Sequence, residues 1–254
     1  MALPHRILFW DIESAPAIAY IWRPDDAYIP MERLLQSTFL LNWGAKWTEG
    51  KVISGLVTPE EAKNRDDRRI ITDLANLIRK ADVCVAHNGD GFDLPMLNNR
   101  LLYWQLEPLG NVRTIDTLKL ARKNFRLEYN KLDYLAEYLG LGRKIKTDME
   151  LWKGCLDGDP KSLQAMKKYN RQDVLLLEKV FHTMKPYVRQ LPRLFDAERE
   201  NERACPSCGS EDFWARGYYR TQSGTFGNLQ CQKCGRYSRY RTVERLKKLG
   251  LHPL

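Results

Sequence analysis

Two Cys-x2-Cys-Gly sequences lie close together in the last fifth of this 254-residue chain. They contain Cys205, Cys208, Cys231 and Cys234, and 22 residues separate the second cysteine from the third. Two such turns are typical of a tetrahedral zinc site with four thiolate ligands and no open position. Because the segment has few aliphatic residues, it cannot build a sufficient hydrophobic core without the metal. The sequence therefore predicts a small module over residues 204–254, stabilised by one structural Zn²⁺.

The formal net charge of +9 is concentrated in the same segment. Residues 1–202 carry 31 basic and 29 acidic side chains, whereas residues 203–254 carry 10 basic and 3 acidic ones. Aromatic residues interleave with arginines there, which places stacking surfaces beside phosphate-binding guanidinium groups. We expect this module to bind nucleic acid through arginines that include Arg216, Arg220, Arg236 and Arg239. The alternative is a module that packs its aromatic rings on the zinc core or docks a protein.

The sequence contains no segment that would direct the chain across or into a membrane. The residues before Asp11 lack the apolar core of about 7–15 residues that a signal peptide has. Nowhere do ~18 apolar residues follow one another, as a membrane span requires. We therefore expect a cytoplasmic protein without a membrane partner. Cysteines stay reduced in that compartment, which favours zinc over disulfide bonds.

Hydrophobic periodicity in residues 1–185 predicts a mixed α/β domain, because strands come first, a βαβ unit follows and helices close the domain. Short apolar or β-branched runs predict strands at 6–10, 39–47, 51–57, 83–86 and 112–115. Amphipathic periodicity predicts helices at 67–80, 92–106, 131–139 and 162–184. We expect residues 186–203 to form a linker or a connecting helix to the cysteine-rich module.

Two carboxylates, Asp11 and Glu13, end the first apolar strand. Alternation along a strand points both to one face about 7 Å apart, with Ile12 between them in the core. Two anions side by side repel one another unless a cation lies between them. Magnesium or manganese, which prefer hard oxygen ligands, would supply that cation. The alternative is that both residues are solvated and begin a loop.

Asp93 and Asp173 are two further carboxylates beside apolar sequence. Asp93 follows a buried strand and a glycine-containing turn, and N-capping of the next helix is the alternative explanation for it. Asp173 precedes four aliphatic residues in a helix, where a carboxylate without a partner is unfavourable. Tyr169 lies one helical turn before it on the same face. For Asp173 the alternative is pairing with a basic residue at the helix boundary.

The order and spacing of these residues resemble the three exonuclease motifs of the DEDD, or DnaQ-like, superfamily. The matching sequences are Asp11-x-Glu13, Asn88-x3-Phe92-Asp93-x-Pro95-x-Leu97 and Tyr169-x3-Asp173. The middle motif is especially similar to the proofreading domains of family B polymerases and to small stand-alone ribonuclease H-like exonucleases. The resemblance covers about residues 6–185. Tyrosine rather than histidine in the third motif implies the DEDDy subclass.

This resemblance implies a ribonuclease H-like mixed sheet flanked by helices, and a 3′–5′ exonuclease that releases nucleoside 5′-monophosphates. Two Mg²⁺ or Mn²⁺ ions would clamp the scissile phosphate, one activating water and one stabilising the departing 3′ oxygen. It implies that Asp11 bridges both ions and that Glu13 and Asp173 hold the ion with the nucleophile. Asp93 would support the second ion, and Tyr169 would orient the attacking water.

The resemblance also implies a cleft that grips a 3′ terminus. Asn88 and Phe92 would line this cleft, since the family uses aromatic or apolar side chains to separate terminal bases. Trp10 and Trp104 are further candidates for stacking on bases, and core packing is the alternative for all three aromatic residues. Asp116 matches a family position that usually supports the site rather than ligating metal.

Three neighbouring residues are interpreted as structural. Asp90 is expected to belong to the turn, because the motif spacing selects Asp93. His87 is expected to be a satisfied core or turn histidine, and Cys84, between two valines, to lie in the core.

The cysteine-rich module resembles a second group of proteins. Its Cys-Pro-Ser-Cys-Gly-Ser and Cys-Gln-Lys-Cys-Gly-Arg-Tyr sequences are similar to the zinc ribbons of transposases and transcription factors. This resemblance implies nucleic-acid binding beside a nuclease domain.

Two other functions would use the same features. One is a catalytically silent nucleic-acid-binding adaptor, and the complete set of four carboxylates with Tyr169 argues against it. The other is a transposase or ribonuclease H-type endonuclease, which would lack the Asp-x-Glu pair and the Tyr-x3-Asp helix. Single-stranded 3′ ends of DNA are the favoured substrate. RNA is the alternative substrate, because no motif indicates whether the protein contacts the 2′ position of the sugar. A proofreading role would require a polymerase or another replication or repair protein as partner.

Overall fold

The computed structural model describes residues 6–23, 25, 28–48, 50–188, 191, 204–205, 207–222 and 224–241. They divide into two compact units, one from Arg6 to Thr183 and one that contains the residues from Met184 onward. Most of the segment 186–203, predicted as a linker or helix, lies outside the described residues. Among the described helices, none is long and apolar enough to cross a membrane.

The first unit is built on a five-stranded mixed sheet with β1 (Ile7–Ala15) at its centre. β1 pairs antiparallel with β4 (Phe39–Trp47) and parallel with β6 (Val83–Ala86). β5 (Ile53–Leu56) extends the β4 side antiparallel, and β7 (Thr114–Asp116) extends the β6 side parallel. The order β5-β4-β1-β6-β7 confirms the predicted mixed sheet. β1 is central because its apolar run from Ile7 to Trp10 is buried on both faces.

Helices flank this sheet. They are α1 (Pro59–Asn64), α2 (Arg68–Arg79), α3 (Asp93–Tyr103), α4 (Thr117–Asn124), α5 (Leu132–Tyr138), α6 (Met149–Leu156) and α7 (Pro160–Met184). The four regions with strong periodicity hold α2, α3, α5 and α7, as predicted. α7 ends directly before a 3-10 turn that contains Pro186, in agreement with the expected helix stop.

Three short helices and one hairpin were not predicted. α1, α4 and α6 bury only one or two residues each, so no apolar stripe marks them in the sequence, whereas the equally short α5 buries three residues at helical spacing. Each begins at a local cap, such as the reciprocal hydrogen bonds between Thr58 and Glu61 at α1. The hairpin of β2 (Ile18–Ala19) and β3 (Leu34–Gln36) lies between β1 and β4. Its strands have two and three residues, below the length at which alternation can be recognised.

The second unit contains a three-stranded antiparallel sheet. β9 (Gly224–Cys231) lies in the middle, with β8 (Phe213–Thr221) and β10 (Tyr237–Arg241) on its two sides. The described part of this unit contains few buried apolar residues, and two of the buried residues are Cys205 and Cys231. So few buried apolar residues give a small unit little stability from a hydrophobic core.

A buried ion pair joins the start of α2 to α3 in the first unit. Asp67 is fully buried and accepts hydrogen bonds from Arg100 Nε at 2.8 Å and Nη2 at 2.9 Å. Leu40 N and Trp104 Nε1 donate to the same carboxylate at 2.7 and 2.6 Å. Trp104 is half-buried and serves this network through its indole nitrogen, while its candidacy as a base-stacking residue stays a prediction. A fully hydrogen-bonded pair is the one form in which buried charges are tolerated.

We expect Asp67→Ala to lower the free energy of unfolding by about 3–5 kcal/mol, because it leaves the Arg100 guanidinium buried without its partner. Urea denaturation followed by tryptophan fluorescence measures the change. The matched control is Asp73→Ala on the exposed side of α2, which should change stability by less than about 0.5 kcal/mol. Equal losses in the two variants would show that the pair contributes no special stability.

Candidate active site

β1 places Asp11 and Glu13 on one face of the sheet. Asp11 lies opposite Gly44 and Glu13 lies opposite Asn42 on β4, while Ile12 between them is buried. The strand continues to Ala15, so both carboxylates lie inside it rather than at its end as predicted. Polar residues at alternate positions of a paired strand are held more rigidly than residues that begin a loop.

α7 reaches the sheet beside these carboxylates because β4 has a glycine there. A Cβ atom at Gly44 would overlap the side chain of Asn170, so the close approach requires glycine. Asn170 is fully buried and its Nδ2 donates to Asp11 Oδ2 at 2.7 Å. Sequence reasoning missed Asn170, although it directly follows Tyr169. A glycine in the middle of an apolar strand was the signal that could have indicated this contact.

Asp93 is brought to β1 from the opposite side, as the first residue of α3. Its side chain is 2% exposed, and its Oδ1 accepts a hydrogen bond from Ile12 N at 3.2 Å. β6 pairs with β1 only as far as Phe9, so this carboxylate takes the position that a continued strand would occupy. Asp93 is thus directed to the segment that contains Asp11 and Glu13.

Asp116 fixes the loop before Asp93. Its carboxylate accepts from Asn88 N at 2.9 Å and from Asp90 N at 3.4 Å, and it also caps α4 by accepting from Leu118 N at 2.9 Å. Asn88 has a left-handed backbone, with φ of 64°, which is uncommon outside glycine. Asp116 therefore positions the loop from behind, the supporting place that the resemblance implied.

α7 supplies the third group of side chains, Tyr169, Asn170 and Asp173. Oxygen atoms of Asp11, Glu13 and Asp173 all lie within 4.8 Å of one another. Among the described residues, Asp93 is not part of this group of three. The structure therefore brings three of the four predicted carboxylates together and places Asp93 beside the same strand segment.

Lys144 is a second residue at this site that sequence reasoning did not find. Its Nζ donates to Asp173 Oδ2 at 2.6 Å and lies 5.5 Å from the centre of the Tyr169 ring. The loop that carries it is held by a hydrogen bond from Gln172 Nε2 to Arg143 O at 2.6 Å. Lys144 belongs to a short basic loop without periodicity, so no sequence pattern separates it from solvated lysines.

Burial dominates the electrostatics of the acidic cluster. It raises the pKa of Asp11 well above the ordinary range and the pKa of Glu13 to about 8, with repulsion from the other carboxylates adding to the effect. Burial likewise raises the pKa of Asp93 to about 7. Burial alone would lower the pKa of Lys144, but Asp173 keeps it above the ordinary range. The lysine is therefore charged at neutral pH and offsets part of the negative charge.

The donor atoms fit a hard divalent cation. Asp173 Oδ1 is buried and has no hydrogen-bond partner among the described residues, whereas its Oδ2 binds Lys144. A buried carboxylate oxygen without a partner costs free energy that a cation would recover. Carboxylate oxygens in a group of three are the ligands that such cations prefer.

The candidate substrate residues of the first unit have different environments. Phe92 is 42% exposed and Asn88 is also exposed, so both side chains are accessible. Trp10 is 1% exposed, and its candidacy for base stacking is corrected because it packs in the core. His87 is paired with Thr117 Oγ1 at 2.9 Å, and burial lowers its pKa to about 4. His87 is the satisfied histidine that the sequence predicted.

The four cysteines of the second unit form a separate cluster. Sγ atoms of Cys205 and Cys234 lie 3.6 Å apart, as do those of Cys208 and Cys231. All four Sγ atoms lie within 4.8 Å of one another. Four thiols at these separations fit a tetrahedral metal ion.

The arginines predicted to bind nucleic acid differ in their partners. Arg216 lies over the Trp214 ring at 5.1 Å, and Arg239 donates to Tyr219 Oη at 3.2 Å, each on an exposed part of the sheet. Arg220 is exposed as well. Arg236 is half-buried and donates through Nη2 to Val188 O at 2.7 Å. The guanidinium of Arg236 is therefore engaged with the backbone of its own unit.

We expect the protein without divalent metal at the carboxylates to lose stability as the pH rises from 5 to 8. Between pH 4.5 and about 8 the unfolded chain releases the Glu13 proton and the folded chain retains it, so rising pH favours unfolding. Glu13→Gln should flatten this decrease in melting temperature, because glutamine has no proton to release. Melting curves across the pH range measure it, with Glu60→Gln on the exposed start of α1 as control. Parallel curves for the two variants would contradict the expectation.

Two known polymerases are similar to parts of this chain. The PolC-type DNA polymerase III of Ureaplasma parvum serovar 3 is 55% identical over 40 residues, which is 16% of this chain and 3% of that protein. The solved structure of the family B DNA polymerase from the hyperthermophilic archaeon Pyrobaculum calidifontis matches with a TM-score of 0.54 and 21% identity. That match covers 72% of this chain and 25% of the polymerase, and it supports the fold.

A family model gives the broader assignment. The model of the RNase_H superfamily, RNase_H_2, matches residues 36–185, which include α3, α7 and four of the five strands of the mixed sheet. The predicted ribonuclease H-like fold is thereby confirmed. Since the match covers more than half of the sequence, the chain belongs to the RNase_H superfamily.

Proposed function

We propose that this protein is a metal-dependent 3′–5′ exonuclease that hydrolyses phosphodiester bonds at single-stranded 3′ ends of nucleic acid. The observation that carries this proposal is the close triad of half-buried Asp11, half-buried Glu13 and buried Asp173, with its unpartnered Asp173 oxygen. The superfamily assignment supports a nuclease acting on nucleic acid. Both similar proteins are named as DNA polymerases, and we favour DNA as the substrate on that ground.

The carboxylates would hold Mg²⁺ or Mn²⁺. Asp11, Glu13 and Asp173 supply the ligand oxygens, and Asp93 supports a second ion from the start of α3. When bound, these ions would activate a water molecule for attack and stabilise the departing 3′ oxygen. The Asp11 carboxylate is oriented by Asn170 Nδ2, which leaves its other oxygen available.

Tyr169 would position the attacking water. Burial raises the pKa of its phenol above the ordinary value, so Tyr169 stays protonated and can donate a hydrogen bond. Lys144 holds Asp173 from the side of the Tyr169 ring and limits the motion of that carboxylate. Both residues would thus act as positioning groups beside the ligands.

Asn88 and Phe92 would contact the terminal nucleotide. Both are exposed in the loop that Asp116 holds, directly before Asp93. Stacking of a base on Phe92 would contribute about 1–3 kcal/mol and would favour an unpaired end. Because these contacts would recognise a free end, we propose an exonuclease rather than an endonuclease. A polymerase or another replication or repair protein would be the partner in a proofreading role.

We expect Asp11→Asn and Asp173→Asn to reduce hydrolysis more than about 100-fold, because each removes a charged metal ligand. The assay follows 5′-labelled single-stranded DNA, duplex DNA and RNA of one sequence with Mg²⁺ or Mn²⁺. Asp73→Asn, on an exposed face of α2, is the matched control and should retain the parent rate.

Two outcomes would overturn the proposal. One is degradation by Asp11→Asn at the parent rate, which would place the reaction elsewhere. The other is cleavage of a circular single strand by the parent protein, since an exonuclease requires an end.

We further propose that the four cysteines hold one structural Zn²⁺ and that this unit grips the substrate. The exposed Arg216, Arg220 and Arg239 supply charge, and Trp214 and Tyr218, which are 47% and 68% exposed, supply stacking surfaces. Four thiolates complete the coordination of the ion, so its role is to fold the sheet.

Zinc removal should therefore weaken substrate binding about tenfold or more. Elemental analysis should find one zinc per chain, and fluorescence anisotropy with a labelled oligonucleotide measures the affinity. Cys208→Ser with Cys231→Ser should lose both zinc and affinity, whereas added Zn²⁺ should restore only the stripped parent. Full affinity without zinc would indicate that the unit serves a protein partner.

A further inference from the structure

The hairpin between β1 and β4 carries a large exposed apolar surface. It spans residues 16–38, and nine large apolar side chains among its described residues are at least 38% exposed. Trp22 is 82% exposed, Tyr28 77% and Met31 86%. With aromatic side chains of about 150–250 Å² each, the hairpin exposes on the order of 1,000 Å² of apolar surface. The largest apolar patch of a typical monomer is only about 300–600 Å², so this surface indicates a partner.

The base of the hairpin is fixed, so its apolar surface is already formed in the single chain. Arg65, directly after α1, donates through Nη2 to Pro16 O at 2.9 Å and to Ser37 O at 2.8 Å. These two carbonyls lie where the chain enters and leaves the hairpin. Tyr20 N donates to Arg33 O at 3.0 Å and extends the pairing beyond β2. A surface that is ordered before binding loses less conformational entropy on association.

One face of the hairpin carries both a hole and side chains that can fill one. A concavity of about 480 Å³ lies on this face, and the residues that line it are all aliphatic or aromatic. Ala17 and Ala19 give it small side chains, whereas Tyr28 and Met31, which also line it, are the most exposed of the lining residues. Small and large residues on one face can fit a copy of themselves, as a contact with two-fold symmetry requires.

The charge of the hairpin also suits a contact between identical surfaces. Residues 16–38 contain two basic and three acidic side chains, so the formal net charge of this segment is −1. Most of the net charge of +9 lies in residues 203–254 instead. A nearly neutral surface does not repel its copy, whereas binding of phosphates requires a concentration of cations. The charge therefore favours an apolar protein surface over nucleic acid as the partner.

We propose that this hairpin is the interface of a homodimer, in which Met31 of each copy enters the alanine-lined concavity of the other. A standard interface buries about 800 Å² per partner, and the hairpin exposes enough apolar surface to supply that area. Two residues separate β2 from β1, so the interface lies beyond the end of the strand that carries Asp11 and Glu13. The proposal does not depend on the proposed hydrolysis.

The first test measures the mass of the full chain with Zn²⁺ present. Light scattering and sedimentation velocity follow the protein from about 0.1 to 100 µM. The parent should have twice the mass of one chain, and about 1 M NaCl should not dissociate it, because the contact is apolar. The mass of a single chain over the whole range would overturn the proposal. Dissociation by salt would also overturn it, since association would then depend on charge.

The second test places a charge in the proposed contact. Met31→Glu should raise the dissociation constant of the dimer at least about 100-fold, because two-fold symmetry introduces the unpaired charge twice in one interface. Leu102→Glu is the matched control, at a 78% exposed position on α3, and it should leave the dissociation constant unchanged. Equal dissociation constants for the two variants would overturn the proposal. Melting curves check that both variants fold.

A third variant separates the fitted contact from nonspecific apolar association. Ala19→Phe fills the concavity and adds apolar surface without adding charge. The fitted contact predicts that it raises the dissociation constant about tenfold or more, because Met31 of the other copy no longer has room. Nonspecific association would stay unchanged or become stronger in this variant, and that result would overturn the proposed interface.

Discussion

The central physical constraint on the first unit is a set of like charges held close together in surroundings partly shielded from water. Asp11, Glu13 and Asp173 lie within a few ångströms of one another at the sheet, and burial opposes their ionisation. Each flanking contact reduces this cost in a different way. Asn170 donates to Asp11, and Gly44 lets α7 come close enough for this contact. Lys144 donates to Asp173. The site is thus a group of mutually repelling carboxylates that a bound cation would stabilise.

The strands and helices that could be predicted from the sequence are those with a regular pattern of apolar residues, because residues that are buried in the core are apolar. β1, β6, α2 and α7 are of this kind. The sequence also indicated the residues that a spacing rule brings together, as with Asp11 and Glu13. Lys144 could not be found in this way, because its importance arises from the loop that Gln172 attaches to α7. Trp10 and Trp104 were ambiguous for the opposite reason, since an aromatic residue is equally suited to a core and to a base.

The two units of this protein carry their positive charge on different kinds of side chain. The second unit carries arginines over aromatic rings, where planar guanidinium groups can stack and bind phosphates at once. A groove along α7 is lined by Lys167, Lys168 and Lys179, whose flexible side chains let their charged groups take several positions. Residues 1–202 are therefore nearly neutral overall although their charges are unevenly placed. Several acidic side chains are buried, and exposed basic side chains balance their charge.

Asp93 has a consequence for how this chain could change over time. Its Oδ1 accepts the hydrogen bond from Ile12 N that a longer β6 would have accepted. The carboxylate therefore completes the backbone pairing of β1. Under the proposed function, a descendant that lost hydrolysis could lose Glu13, but it would still need an acceptor at position 93 to satisfy the strand. Retention of Asp93 alone in a relative would then reflect the architecture of the sheet, whereas retention of Glu13 would reflect the proposed catalysis.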